Sequence, residues 1–205
     1  MLDVIVRKDI EKPYLALLQL CLNEIPNSNV IFANSLKEGF KLSQSTFVSF
    51  LGNGAVSSNH YKDMLEFFNK YPKFKKLSMI TTPVSDLILQ RKVYSYELTD
   101  KDVHPVFKKG SSSPYAVQIG HLAGALIRRS SLDPVISNFT GNPLFDSYAV
   151  CAHFWMTGKM VYVNPNAMYI ANNLDLKRVI EFKVDPWADN TIMQGVKATW
   201  KREVI

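Results

Sequence analysis

Three short stretches carry residues suited to chemistry on a phosphate-bearing ligand. Arg7-Lys8-Asp9 follows a β-branched run, Ala33-Asn34-Ser35 ends a second, and Gly52-Asn53-Gly54 ends a third. Arginine and lysine meet phosphate oxygens through charge-assisted hydrogen bonds, and the two glycines let backbone approach a ligand closely. The competing reading is a solvated strand end and a tight turn. His121, beside Gly120 and near Gly124, is a base or a hydroxyl donor where it meets substrate, and a hydrogen-bonded structural histidine where it does not. His153 is expected on the solvent face of a helix, and His60 and His104 share no metal-ligand spacing with their neighbours. Lys70, Lys73, Lys75 and Lys76 interleave with Tyr71 and Phe74, which reads as a nucleic-acid patch or as solvated lysines after a helix. Asp185-Pro186-Trp187-Ala188-Asp189-Asn190 is an aromatic-acidic turn that stacks on a sugar or base, or packs the tail onto the body. Walker loops, Gly-x-Ser-x-Gly elbows and Cys-x-x-Cys pairs are absent from the sequence.

These residues need a scaffold, and the apolar periodicity supplies one. Asp3–Val6 predicts a strand. Pro13 suits a helix start, and Tyr14, Leu17, Leu18, Cys21 and Ile25 form one stripe on a helix over residues 11–25. Val30–Ala33 predicts the next strand, so the opening is strand–helix–strand with a parallel pair and a right-handed crossover. A short polar helix or loop covers 36–43, and Thr46–Leu51 predicts a buried central strand. Ser57 or Ser58 caps a helix bearing Tyr61, Met64, Leu65 and Phe68 on one face. Leu77–Thr82 is another strand. Lys92–Leu98 alternates with period two, as one strand wet on one face. Lys108–Pro114 reads as a mobile loop. Val117–Leu122 and Ala125–Arg128 predict short strands around Gly124, and Ser130 with Asp133 resembles a helix start. Leu144, Tyr148, Cys151 and Trp155 mark a helix ended by Thr157-Gly158. Met160–Val163 predicts a strand, and the tail at 189–202 a last helix. In such open α/β sheets ligands bind at the carboxyl ends of the strands, where the three stretches above lie.

Composition sets the outer limits. The chain has 205 residues, 47% hydrophobic and 20% charged. This supports a sizeable core and excludes a disordered chain or a coiled-coil rod. A net charge of +6 favours anionic partners. No apolar run is long enough for a spanning helix, and the first residues lack a signal-peptide layout, so a cytoplasmic protein is expected. Cys21 and Cys151 read as buried free thiols in a reducing compartment. One domain is expected, with a nucleotide-sugar-binding half over about 1–90 and an acceptor half and tail over about 91–205.

Four stretches, in order and nearly without gaps, resemble a family-2-like glycosyltransferase of the nucleotide-diphosphosugar (GT-A) type. They are Asp3 to Leu22, Val30 to Ser35, Thr46 to Asn59, and Gly124 to Leu132, the last leading into Phe145-Asp146-Ser147-Tyr148-Ala149-Val150-Cys151 and Thr157 to Val163. The resemblance covers about 3–35, 46–82 and 120–165. It implies a three-layer α/β fold with a mostly parallel sheet, a nucleotide-sugar donor (UDP-linked) and a hydroxyl acceptor: a glycan, a lipid-linked sugar or a modified nucleic acid. The strand-end residues Arg7, Lys8, Asp9, Asn34, Gly52, Asn53 and Gly54 are then the donor-binding candidates. Counted without gaps, Ser147 falls on the family's usual base position and Asp146 on the acidic residue before it, so Asp146 is the base candidate by a one-residue register shift, or else caps the helix; His121 is a second catalytic candidate.

The departures from the family matter. Its metal motif uses carboxylates, the hard oxygen ligands that magnesium or manganese prefers, but this chain has Gly52-Asn53-Gly54 there. Either Arg7, Lys8, Lys108 or Lys109 neutralises the diphosphate without metal, or the site is dead. The alternatives to a transferase are a non-catalytic GT-A-like binding protein or partner subunit. Within the transferase reading, a viral-type enzyme glycosylating hydroxymethylated DNA bases is a further version.

Overall fold

The computed structural model describes residues 1–52, 54–70, 76–82, 84–86, 92–93, 95–98, 103–106, 115–117, 120–141, 143–167 and 169–171. In chain order the elements are β1 (Leu2–Arg7), α1 (Lys12–Leu22), β2 (Ser28–Ala33), α2 (Leu36–Leu42), β3 (Phe47–Leu51), β4 (Gly54–Val56), α3 (His60–Lys70), β5 (Leu77–Thr81), β6 (Val84–Asp86), β7 (Lys92–Val93), β8 (Ser95–Leu98) and β9 (Val103–Val106). There follow β10 (Tyr115–Val117), β11 (Leu126–Arg128), α4 (Arg129–Leu132), a 3-10 turn (Ile136–Asn138), α5 (Pro143–Met156), β12 (Met160–Val163) and β13 (Tyr169–Ala171).

The β-branched opening residues form β1, and Pro13 sits in the first turn of α1, where its missing N–H costs nothing. β1 pairs in parallel with β2 on one side and β3 on the other. They belong to a seven-stranded sheet ordered β10-β12-β5-β11-β3-β1-β2. β12 runs parallel to β5, whereas β11 runs antiparallel to β3 and β5, and β10 antiparallel to β12. Five strands therefore share one direction, and the sheet is mostly parallel.

Side-chain alternation assigns the covering layers. Ser49 of β3 shares the Val4 face of β1, and its hydroxyl meets the Tyr61 hydroxyl of α3 at 2.8 Å. Tyr162 of β12 meets Phe67 of α3 on that face, and α1 lies beside α3. Ile5 points the other way, into α2, where Gly39 leaves room for its methyl. Phe50 on the same side meets Phe139 beyond the 3-10 turn. Helices thus cover both faces of the sheet in a three-layer sandwich.

Two arginines at the end of β11 tie these layers together. Arg128 lies 5.5 Å from the Phe47 ring centroid and 4.9 Å from that of Phe68, and its Nε donates to the Leu77 carbonyl. Arg129 lies over Phe40 of α2 and donates to the Ser43 carbonyl. Asp3, nearly fully buried, accepts from Ser43 Oγ, the Gln44 and Ser45 amides and Asn29 Nδ2. Burial pushes its carboxyl up, but these hydrogen bonds outweigh it and hold the group below its ordinary value.

Several sequence expectations need correction. The described parts of Lys92–Leu98 pair in two different sheets: β7 pairs with β6 in a four-stranded sheet ordered β4-β13-β6-β7, while β8 pairs with β9. Period-two alternation specifies a pleat but not its partner. Val117–Leu122 is not one continuous strand. β10 covers Tyr115–Val117, and Gly120, His121 and Leu122 lie outside any strand, with Ala123 making an isolated bridge to Phe50. Asp133 follows α4 rather than starting a helix, and its carboxylate pairs with Arg129 at 3.3 Å. Leu17 is 43% exposed, and α1 buries Leu18, Cys21 and Leu22. His153 is partly buried rather than on a solvent face, which pushes its pKa down, with Lys159 adding to the effect. Cys21 and Cys151 are buried free thiols. Asn53, the 108–114 loop, Lys73, Lys75, the Trp187 turn and the tail lie outside the described residues.

Candidate functional site

The co-directional strands β1, β2, β3, β5 and β12 end at one edge of the sheet, at Arg7, Ala33, Leu51, Thr81 and Val163. Residues 120–124 cross this edge. Thr81 Oγ1 donates to the His121 carbonyl at 2.8 Å, Asn164 N to the Thr81 carbonyl at 2.9 Å, and Gly124 N to the Phe50 carbonyl at 2.8 Å. The topology therefore gathers Arg7, Lys8, Asp9, Asn34, Gly52, Gly54 and His121 along one rim.

At the β1–β2 corner every candidate charge has a partner. Arg7 Nε and Nη2 fork onto the Asp9 carboxylate at 2.9 and 2.7 Å. Lys8 Nζ lies 3.7 Å from Glu38, whose other oxygen accepts the Asn34 amide at 2.8 Å. The Arg7 hydrogen bond holds the Asp9 carboxyl below its ordinary value, and the Asn34 amide, then Lys8, does so for Glu38. Glu38 was not among the candidates. Its signal is Ser35-x-x-Glu38, a capping-box pattern, and Ser35 Oγ accepts the Glu38 amide at 3.1 Å.

The Gly52–Gly54 side of the rim is filled. Gly54 opens β4, which pairs with β13 so that Ala171 lies opposite Gly54 and Tyr169 opposite Val56. A Cβ on Gly54 would lie 2.5 Å from Cζ and Oη of Tyr169, and one on Gly52 would lie 3.7 Å from that hydroxyl. Gly124, at φ +70°, would bring a Cβ to 3.2 Å from the Tyr169 Cβ and 3.3 Å from His60 Nε2. Tyr169 is only 4% exposed. At Gly54 the close approach that glycine permits is taken up by a phenol ring of the same chain. His60, buried, bonds the Gly124 carbonyl through Nε2 at 2.7 Å, a structural role.

His121 is held from several sides. Besides the Thr81 bond to its carbonyl, its Nδ1 accepts the Ala123 amide at 3.1 Å. The flanking amides are held by α5: Gly120 N donates to Cys151 Sγ at 3.3 Å, and Leu122 N to Ser147 Oγ at 3.1 Å. Part of the residue still reaches solvent, but the dense surroundings push the imidazole pKa down to about 4.

Asp146, on the first turn of α5, is fully buried. One oxygen accepts Thr140 N at 2.7 Å and Thr140 Oγ1 at 3.0 Å, and the other accepts Gly141 N at 3.1 Å. Burial pushes this carboxyl up, against the pull of those donors. In this arrangement it staples the 139–141 segment onto α5, and neither oxygen is open to an acceptor hydroxyl.

Around Gly52 and Gly54 the described residues offer no ligand set for a divalent cation. Neither glycine brings a side-chain ligand, Tyr169 occupies the space against Gly54, and no group of three or more His, Cys, Asp or Glu among the described residues is arranged to hold a metal ion. No helix among the described residues is long and apolar enough to cross a membrane.

No family model and no curated protein matches the chain. Among solved structures it is similar to GalNAc-T7, determined with UDP, GalNAc and Mn2+, with a TM-score of 0.52 and 9% identity over 97% of this chain and 47% of that one. The chain spans about half the length of that protein. The likeness establishes the fold, a GT-A-like α/β sandwich, and no more.

Proposed function

We propose that this GT-A-like chain binds a UDP-linked sugar at the carboxyl edge of its sheet and transfers the sugar to a hydroxyl acceptor. The observation that supports this reading is the chain-wide likeness to a glycosyltransferase fold, whose sheet edge here carries Arg7, Lys8 and Asn34 at or just past strand ends and His121 in the segment that crosses it. The acceptor oxygen attacks the anomeric carbon, the bond from that carbon to the diphosphate oxygen breaks, and the nucleoside diphosphate departs with the bonding pair. Arg7 and Lys8 exchange Asp9 and Glu38 for the diphosphate oxygens and offset the charge that develops there. Asp146 is the acceptor-side carboxylate, and for it to take the hydroxyl proton the Thr140–Gly141 segment must release it.

Calorimetry with UDP and a panel of UDP-sugars, with and without manganese, tests the reading, together with an assay for slow donor hydrolysis. Binding without manganese, weakened by Arg7→Ala and Lys8→Ala, is the expected result. Absence of binding across the panel overturns it. That outcome supports a second reading, a non-catalytic GT-A-like binding protein. The packing of Tyr169 against Gly54, where a donor diphosphate would need open backbone, favours this alternative.

A further inference from the structure

We propose that His121 acts as a tautomer-locked hydrogen-bond donor, presenting Nε2–H to an oxygen of the bound nucleotide sugar, and that it is not the base. The inference rests on the donor-site reading above and assigns one atom within it. A neutral imidazole has one N–H and one lone pair. The Ala123 amide donates to Nδ1 at 3.1 Å, so the lone pair is engaged and the proton resides on Nε2. A base at this position would need a free lone pair on the ring, and neither nitrogen has one. The surroundings also disfavour the imidazolium, so the ring stays neutral throughout the physiological range.

The ring is fixed by more than its own bond. Thr81 Oγ1 holds the His121 carbonyl, Cys151 Sγ the preceding amide and Ser147 Oγ the following one. Such a shell sets a donor in place before a ligand arrives. Ser147 and Cys151 are thus positioning residues, and α5 serves the site through backbone hydrogen bonds. Among the described residues no acceptor meets Nε2, while part of the residue reaches solvent at the rim.

The test is nitrogen-15 NMR of the histidine rings in the full chain, free and with UDP or UDP-GalNAc. The free protein is expected to show a protonated Nε2 and an unprotonated Nδ1 for His121, unchanged from pH 8 to pH 5.5. UDP or UDP-GalNAc is expected to shift the Nε2 signal, and a shift with the sugar nucleotide alone places the contact on the sugar rather than the diphosphate. His121→Gln, whose amide nitrogen reaches the Nε2 position, should keep affinity within about threefold, whereas His121→Asn should lose about tenfold. A protonated Nδ1, titration near pH 6.5, or UDP binding that leaves the Nε2 signal and both variants' affinities unchanged overturns the donor role while leaving the donor site standing. If neither UDP nor UDP-GalNAc binds, the donor-site reading falls and this ligand role falls with it.

Discussion

Gly54→Ala separates a packing glycine from a ligand-binding one. The added methyl would lie 2.5 Å from the Tyr169 ring, against 3.4–4 Å for ordinary contact, so ring and strand must part by about 1 Å. Tyr169 cannot retreat freely: it is nearly buried, its backbone pairs with β4 and β6, and its Cβ side abuts Gly124. Overpacking of this kind costs about 1–3 kcal/mol. Tyr169→Ala alone removes a buried aromatic and costs about 3–5 kcal/mol. In the double variant the methyl enters vacated space, so the Gly54→Ala cost should largely vanish. The expected coupling is about 1–2 kcal/mol in favour of the double variant. Urea unfolding at 25 °C, followed by circular dichroism and tryptophan fluorescence, measures all four corners of the cycle. Additivity within about 0.5 kcal/mol would refute the argument, because it would mean that Gly54 and Tyr169 do not share this space.

Arg128→Lys should destabilise the fold by about 1–2 kcal/mol in the same assay, because an ammonium cannot lie flat between Phe47 and Phe68 while bonding the Leu77 carbonyl. Asp3 has a folded pKa below its ordinary 3.8, so its stabilising effect is complete above that value and is lost as the pH falls through the folded one. The stability gap between wild type and Asp3→Asn, measured by denaturant unfolding across pH, should therefore narrow below about pH 4. His121 is depressed from 6.5 to about 4, so the fold should lose at most about 3 kcal/mol as the pH drops through that window, and His121→Gln should flatten this arm. Asp146→Asn should cost about 1–3 kcal/mol, because its amide would confront the Thr140 or Gly141 N–H in place of an acceptor oxygen. A variant as stable as wild type in thermal unfolding would contradict the staple.

The β1–α1–β2 opening was readable because each element announces itself locally: a β-branched run, a proline in the first helical turn and a stripe at helical spacing. Tyr61, Met64 and Phe68 are buried on α3 as their spacing requires. Ser35 and Glu38 carry an equally local capping-box spacing, which the reading of 36–43 as a short polar helix or loop does not draw on, at the helix start that also holds Lys8. The pairing of β4 with β13 could not be read, since three-residue strands carry almost no periodic signal and their partners lie more than 100 residues apart. For the same reason the sequence leaves Gly52-Asn53-Gly54 between a tight turn and a close approach to a ligand, while Tyr169 sits against Gly54 in the fold. Asp146 was visible as a carboxylate at a helix start, but whether its oxygens face solvent or the Thr140–Gly141 amides depends on a turn that spacing does not specify.

The two sides of the rim differ in what a ligand would have to displace. At the β1–β2 corner the Arg7–Asp9 pair is exposed on both partners, and Lys8 and Glu38 are similarly exposed. Exposed ion pairs contribute little to stability, so a diphosphate can replace a carboxylate there at small cost, leaving the guanidinium and ammonium to bind phosphate oxygens instead. On the Gly54 side a ligand must move a buried ring that also abuts Gly124. Charge and displacement cost therefore point the same way, and under the proposed reading a diphosphate would sit at Arg7, Lys8 and Asn34. Binding there should weaken with added salt, since a diphosphate brings more negative charge to the exposed cations than the carboxylates it displaces, and screening weakens that surplus attraction. UDP affinity that is insensitive to salt and unchanged in Arg7→Ala would move the diphosphate off this corner and leave the basic rim without a part in donor binding.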